Sequence, residues 1–236
     1  MEGPLFFFLF LLALASPAAS GTPAPSPASG LAFIRSSCSA TRFPDVCYSS
    51  LSSYAPVVQR SPRQLAQAAL AVSLNRARST HGFVTWLSTR MTGPRLTPRE
   101  AGALKDCVTT ISDSVYRIGQ SVGELKRLGR SEFLWHISNV QTWVSAALTD
   151  ENTCMDGFNS IEVKTSRVRA MVRRHVVGVA QVTSNALALV NKIAEEHQGS
   201  WKYDRRKMKD DVVLKRVSVV SKKELELFVT WDQIDG

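Results

Sequence analysis

Between Ala101 and Leu128 the apolar residues Leu104, Val108, Ile111, Val115, Ile118, Val122 and Leu125 recur at alternating spacings of four and three. That repeat is the seam of a helix packed nearly parallel or antiparallel to its neighbours, and it reads as core rather than as a ligand box. Its start is marked by Thr97-Pro98-Arg99-Glu100, with a cap, a proline at the first helical position and a glutamate three residues after the threonine. Gly129 closes it, and Ser131 is placed to cap a successor with Phe133, Ile137, Val140, Val144 and Leu148 facing inward.

Two further long helices have the same character. Ser61-Pro62 opens a run to about Arg90, striped by Leu65, Ala69, Val72, Phe83, Val84 and Leu87. The other runs from about Val163 to Ala194, with Val168, Val172, Val176, Val179, Val182, Ala186, Leu189 and Ile193 on one side. Short connections force antiparallel neighbours. Ahead of them, LAFIRSSCSAT predicts a short helix with Leu31, Ile34 and Cys38 on one face. PDVCYSSLSSY predicts a second, with Val46, Cys47, Leu51 and Tyr54. The fold class is therefore all-α: an antiparallel up-and-down four-helix bundle preceded by a short N-terminal helical hairpin. After Gly199 the apolar residues cluster without a sustained helical period, so the tail reads as a loosely ordered extension with a candidate strand over Val212–Val220.

The chain of 236 residues opens with an apolar run, Leu5 to Ala15, followed by small residues suited to cleavage around Ala18 to Ser20. This reads as a secretory leader, residues 1–20, with a signal anchor as the alternative; no later stretch reads as a membrane span. GTPAPSPASG, residues 21–30, is a linker with nothing to bury and is expected to be disordered. The folded domain is placed at 31–196 and a divergent basic tail at 197–236. Four cysteines in an oxidising compartment suggest two bridges. Three pairings are possible. The simplest joins neighbours, Cys38–Cys47 and Cys107–Cys154, and the longer loop would contribute roughly 4 kcal/mol. No Cys-x-x-Cys or finger-like histidine spacing supports a metal site, and no cofactor is expected.

Catalysis needs convergent polar groups. The histidines, His81, His136, His175 and His197, are scattered over different segments and read as surface or boundary residues. No Gly-x-Ser-x-Gly elbow, phosphate loop or His-Glu-x-x-His occurs. The chain reads as a binding protein, not an enzyme. Its net charge of +9 favours acidic partners, or simply solubility, and a secreted chain is not expected to meet nucleic acid. Arg167, Arg169, Arg173 and Arg174 form a solvated face or a contact patch for an acidic partner.

In chain order, CSATRFPDVCYSSL, ALKDCVTTISDSVYRIGQSVGEL, QTWVSAALTDENTCMDGF and VTSNALALVNKI resemble the successive motifs of the plant invertase and pectin methylesterase inhibitor domain. The resemblance covers about Leu31 to Glu196. It implies the four-helix bundle with an N-terminal hairpin and the same neighbour pairing of cysteines. It further implies a secreted monomer, in the apoplast or cell wall, that forms a 1:1 complex with an extracellular carbohydrate-active enzyme and occludes its substrate cleft. Pectin methylesterase is the expected partner and acid invertase the alternative, because MDGFNSIEVK lacks the Pro-Lys-Phe motif that invertase inhibitors of the family tend to carry. By alignment on Cys107 and Cys154, the resemblance implies a contact surface of Thr109, Asp113, Tyr116, Thr149, Thr153 and Asp156. A wall polysaccharide-binding module is the reading from another class, and a detached pro-region of an esterase precursor is a further one.

Overall fold

The computed structural model describes residues 27–91, 96–129, 132–160 and 165–231, with side chains described as far as Gly199. The leader expected over 1–20, residues 21–26 of the expected linker, the cap expected at Ser131 and the helix start expected near Val163 lie outside the described residues. Between its turns the described chain is helical, and no strand occurs among the described residues. Helix α1 spans Pro27–Cys38, α2 Pro44–Leu51 and α3 Ala55–Val58, with a 3-10 turn Ser52–Tyr54 between the last two; α4 (Pro62–Arg90), α5 (Pro98–Lys126), α6 (Phe133–Asp156) and α7 (Arg167–Trp231) follow.

The starts of α4 and α5 follow from local chemistry. The Gln64 amide donates to the Ser61 hydroxyl at the head of α4. Ahead of α5, the Glu100 amide donates to Thr97 Oγ1 and the Thr97 amide to Glu100 Oε2, a reciprocal capping box. The bond from the Thr97 amide is also the main reason that the Glu100 carboxyl lies below its ordinary pKa.

Cross-helix contacts fix the topology. On α5 and α6, Cys107 meets Cys154, Ser114 meets Glu151, and Arg117 meets Asp150, so numbers rise on one helix as they fall on the other. Arg63, at the start of α4, donates to the carbonyls of Leu128 and Lys126 at the end of α5. Gln141 meets Asn191, and Glu151 meets Thr183, which sets α6 against α7 in the same sense. Each long helix thus runs antiparallel to the next, and α7 returns to α4 through the stacked rings of Phe83 and His175.

The bundle seam is rotated from the one expected. Leu104, Ile111, Ile118 and Leu125 are fully buried, but Val108, Val115 and Val122 are only half-buried; Cys107, Ser114 and Ser121 take the inward places beside them. Small side chains there let α6 approach closely, down to a Cα–Cα distance of 4.3 Å at the Cys107–Cys154 bridge. On α6, Leu148 is half-buried, whereas Ala147 and Glu151 are buried. The α7 stripe is buried as expected from Val168 to Ile193. Over Arg167–Gly199 this helix is also long and apolar enough to cross a bilayer, which the sequence was not expected to contain. Its apolar side is occupied by the bundle core.

Both expected disulfides are present. Cys38–Cys47 staples α1 to α2 across nine residues, and Asn185 of α7 seizes the turn between them. Its Oδ1 accepts from the Phe43 amide at 3.0 Å, and its Nδ2 donates to the Phe43 carbonyl at 2.9 Å. Helix α1 begins at Pro27 rather than Leu31, so the linker expected to be disordered over 21–30 is helical from Pro27 onward, and Gly30 within it packs directly on α3. A Cβ at Gly30 would lie 2.6 Å from the Ala55 carbonyl oxygen. The tail is a second correction. The backbone from Gly199 to Trp231 continues α7, and Val212–Val220 is helical rather than a strand. No glycine or proline interrupts 200–231, and its lysines, arginines, leucines and glutamates are good helix formers.

The Asn185 clamp makes a prediction. Asn185→Ala leaves two backbone groups of Phe43 without their partners and should lower unfolding free energy in urea by roughly 2 to 4 kcal/mol with both disulfides intact. A loss under about 0.5 kcal/mol would show that the bridge alone holds the hairpin.

Candidate functional site

Helical spacing makes two rows of the six candidate residues. Thr109, Asp113 and Tyr116 lie at i, i+4 and i+7 on α5, and Thr149, Thr153 and Asp156 at the same intervals on α6. All six are exposed. Because Cys107 and Cys154 face each other beneath them, both rows turn outward on the same side of the α5–α6 pair. Tyr116 leaves 67% of its surface to solvent, among the most exposed large side chains in the described structure.

The rows are held in place from within. Thr109, Thr149 and Thr153 donate their hydroxyls to the carbonyls of Lys105, Ser145 and Thr149, one helical turn back. Asp156 accepts from the Asn159 side-chain amide at 3.0 Å. Between the rows, Arg117 Nε donates to Asp150 Oδ2 at 2.8 Å, so the two helices are tied by an ion pair as well as by the bridge. Partial burial raises the Asp150 carboxyl above its ordinary pKa; Arg117 opposes that rise, and Asp113 close by adds to it. Asp113 thus stands near α6, at the edge of the groove between the two rows. An open recess lined by Pro98, Gly102, Asp106 and Gly157 adjoins it at the end nearest the bridge.

Directly beneath this face lies a group that sequence reasoning missed. Glu151 is fully buried. Its Oε1 accepts from Ser114 Oγ of α5 at 2.8 Å and Thr183 Oγ1 of α7 at 3.0 Å, while Oε2 is buried without a partner. Desolvation pushes this carboxyl up to about 7 against the two hydroxyl bonds. A glutamate within Thr-Asp-Glu-Asn-Thr-Cys looks solvent-facing in isolation. Only its position on the inner stripe of α6, four residues after Ala147 and three before Cys154, could have signalled burial.

The arrangement offers contact rather than chemistry. All four cysteines are bridged. His136 lies against Glu124 and Glu132, while His175 and His197 stack on Phe83 and Phe133. Among the described residues no three His, Cys, Asp or Glu side chains converge as metal ligands would.

Comparison with known proteins points the same way. The family model described as plant invertase/pectin methylesterase inhibitor matches residues 32–189. Pectinesterase inhibitor 9 of Arabidopsis thaliana is 48% identical over 177 residues, covering 73% of this chain and 85% of that protein. The 21 kDa protein of Daucus carota is 44% identical over 178 residues, covering 74% and 90%. A crystal structure of mutant form A of a pectin methylesterase inhibitor from Arabidopsis superposes with a TM-score of 0.53 at 21% identity, over 69% of this chain and 96% of that one, a likeness of fold.

Glu151 gives the second prediction. The unfolded carboxyl releases its proton near 4.5 and the folded one near 7, so the folded state binds more protons in that interval. This group's contribution to stability should be full below about pH 4.5 and be lost as pH rises through 7, a fall of roughly 3 kcal/mol. Glu151→Gln should remove most of that slope in denaturant melts between pH 4.5 and 7.5; an unchanged slope would contradict the assignment.

Proposed function

This chain belongs to the plant invertase/pectin methylesterase inhibitor family, and on that premise we propose that it docks the outer face of α5 and α6 onto a pectin methylesterase and covers the enzyme's substrate cleft. The chain is an inhibitor rather than an enzyme, since its relatives in Arabidopsis thaliana are themselves named pectinesterase inhibitors. The observation that carries the reading is the pair of exposed rows on two helices cross-linked at Cys107–Cys154. A surface fixed before encounter loses little conformational entropy on docking. Tyr116, a large amphipathic ring at low rotamer cost, is its natural anchor, with Thr109, Thr149 and Thr153 around it. Asp113 and Asp156 supply acidic contacts for basic groups on the enzyme. The leader at 1–20 directs the chain to the cell wall, where it acts as a monomer in a 1:1 complex.

Titration of the purified chain against a pectin methylesterase on methylated pectin, at mildly acidic pH, should give stoichiometric inhibition. Full esterase activity at a large molar excess would overturn the reading, and a parallel sucrose-hydrolysis assay with acid invertase identifies the other family target. Tyr116→Ala should weaken esterase inhibition at least tenfold, about 1.4 kcal/mol or more, without moving the melting temperature.

A further inference from the structure

Charge is segregated across the bundle. Helix α4 carries four arginines and no carboxylate from Pro62 to Arg90, and α7 carries no carboxylate from Arg167 to Ala194. The opposite pair of helices holds Asp106, Asp113, Asp150 and Asp156. Over those two spans the α4–α7 side therefore carries cations and no carboxylate of its own, with Asp45 on α2 near its far end, and it is the side turned away from the proposed enzyme contact.

The packing concentrates that charge along the α4–α7 groove. Phe83 and His175 stack at 3.8 Å between ring centroids, with their planes nearly parallel at 14°. Arg76 sits one heptad before Phe83 and Arg90 one heptad after it, so all three share a face of α4. The Arg76 guanidinium reaches to where a Cβ on Gly178 would stand 3.6 Å away, which places it over α7. Arg174 comes from α7 itself. Burial, and then Arg174 and Arg76, hold the His175 imidazole below its ordinary pKa. Successive residues on a helix are turned by about 100°, so Arg167 stands on the groove side with Arg174, whereas Arg169 and Arg173 turn toward α6. The arginine cluster of the sequence is thus split, and residues of α4 complete the patch. Trp86 lies beside Phe83 at 6.2 Å between centroids and is 53% exposed.

We infer that the α4–α7 groove is a second binding surface, for an anionic polysaccharide whose sugar carboxylates pair with Arg76, Arg90, Arg167 and Arg174 while a sugar ring lies on Trp86. Guanidinium groups suit bidentate carboxylate recognition. An exposed indole offers an apolar face to the C–H groups of a pyranose ring. The choice of demethylated pectin as the polyanion rests on the function proposed above, because a pectin methylesterase leaves carboxylates on its substrate; the cationic groove itself does not depend on that reading. Since the two faces lie on opposite sides, the chain could hold the polymer while inhibiting the enzyme.

Affinity electrophoresis of the chain through gels containing polygalacturonate or fully methylated pectin tests this without any enzyme present. Retardation is expected in polygalacturonate alone, and it should disappear at high salt. The triple variant Arg76→Gln/Arg90→Gln/Arg174→Gln should bind at least tenfold more weakly. Trp86→Ala should bind several-fold more weakly at unchanged net charge, and both variants should inhibit the esterase as the parent does. Wild-type retardation of the triple variant would overturn the proposal. So would an equal loss in Lys105→Gln/Lys126→Gln/Arg127→Gln, which lowers net charge by the same amount from α5 and its end. Binding to polyaspartate as tight as to polygalacturonate, insensitive to Trp86→Ala, would mean that the groove reads acidic protein rather than sugar. Polygalacturonate binding without esterase inhibition would leave the groove standing and remove the proposed function instead.

Discussion

The proposed enzyme contact depends on the close approach of α5 and α6. The bridge between Cys107 and Cys154 draws their Cα atoms to 4.3 Å, and Ser114, Ser121 and Ala147 continue the contact with side chains too small to keep the helices apart. A larger residue at any of these places would open the pair, since a close-packed interior has no spare volume. Arg117 and Asp150 seal the outer edge. Beneath them Ser114 and Thr183 hold one oxygen of Glu151, linking α5, α6 and α7 through a single carboxyl. A pair of helices fastened at the bridge, the groove and the core can present side chains in fixed positions, which is what a surface that binds without catalysis requires.

The helices themselves were legible because their determinants are local. Ser61-Pro62 and Thr97-Pro98-Arg99-Glu100 set two starts, and the stripe from Val168 to Ile193 gave the inner side of α7 residue by residue. The α5 stripe was legible only to within a fraction of a turn. Hydrophobicity favoured Val108, Val115 and Val122, whereas close packing selected the smaller Cys107, Ser114 and Ser121. Glu151 was missed for a related reason: its burial depends on hydroxyls from residues 114 and 183, and nothing in its own neighbourhood in the chain announces them. Beyond Gly199 the opposite holds. The sequence lacks an amphipathic period, yet its residues favour a helix that is already running.

The exposed candidates came from resemblance rather than pattern, because a threonine or tyrosine facing water obeys no periodicity of its own. The structure brings all six onto one side of the α5–α6 pair. It also explains a motif that carried the resemblance without a stated role: Asn185, within Ser-Asn-Ala-Leu, is the residue that clamps the Phe43 backbone and docks the stapled hairpin. Charge segregation was present in the sequence as the absence of carboxylates from α4. It acquires meaning only when α4 and α7 become neighbours.

On the proposed function, the outer face of α5 and α6 meets the enzyme. Hydrogen exchange of the chain, alone and mixed with a pectin methylesterase, tests it most directly. Slowed exchange is expected only in peptides spanning 109–116 and 149–156, with α4 and the outer side of α7 unchanged. Protection concentrated on α4 and α7, with those two segments unaffected, would contradict it.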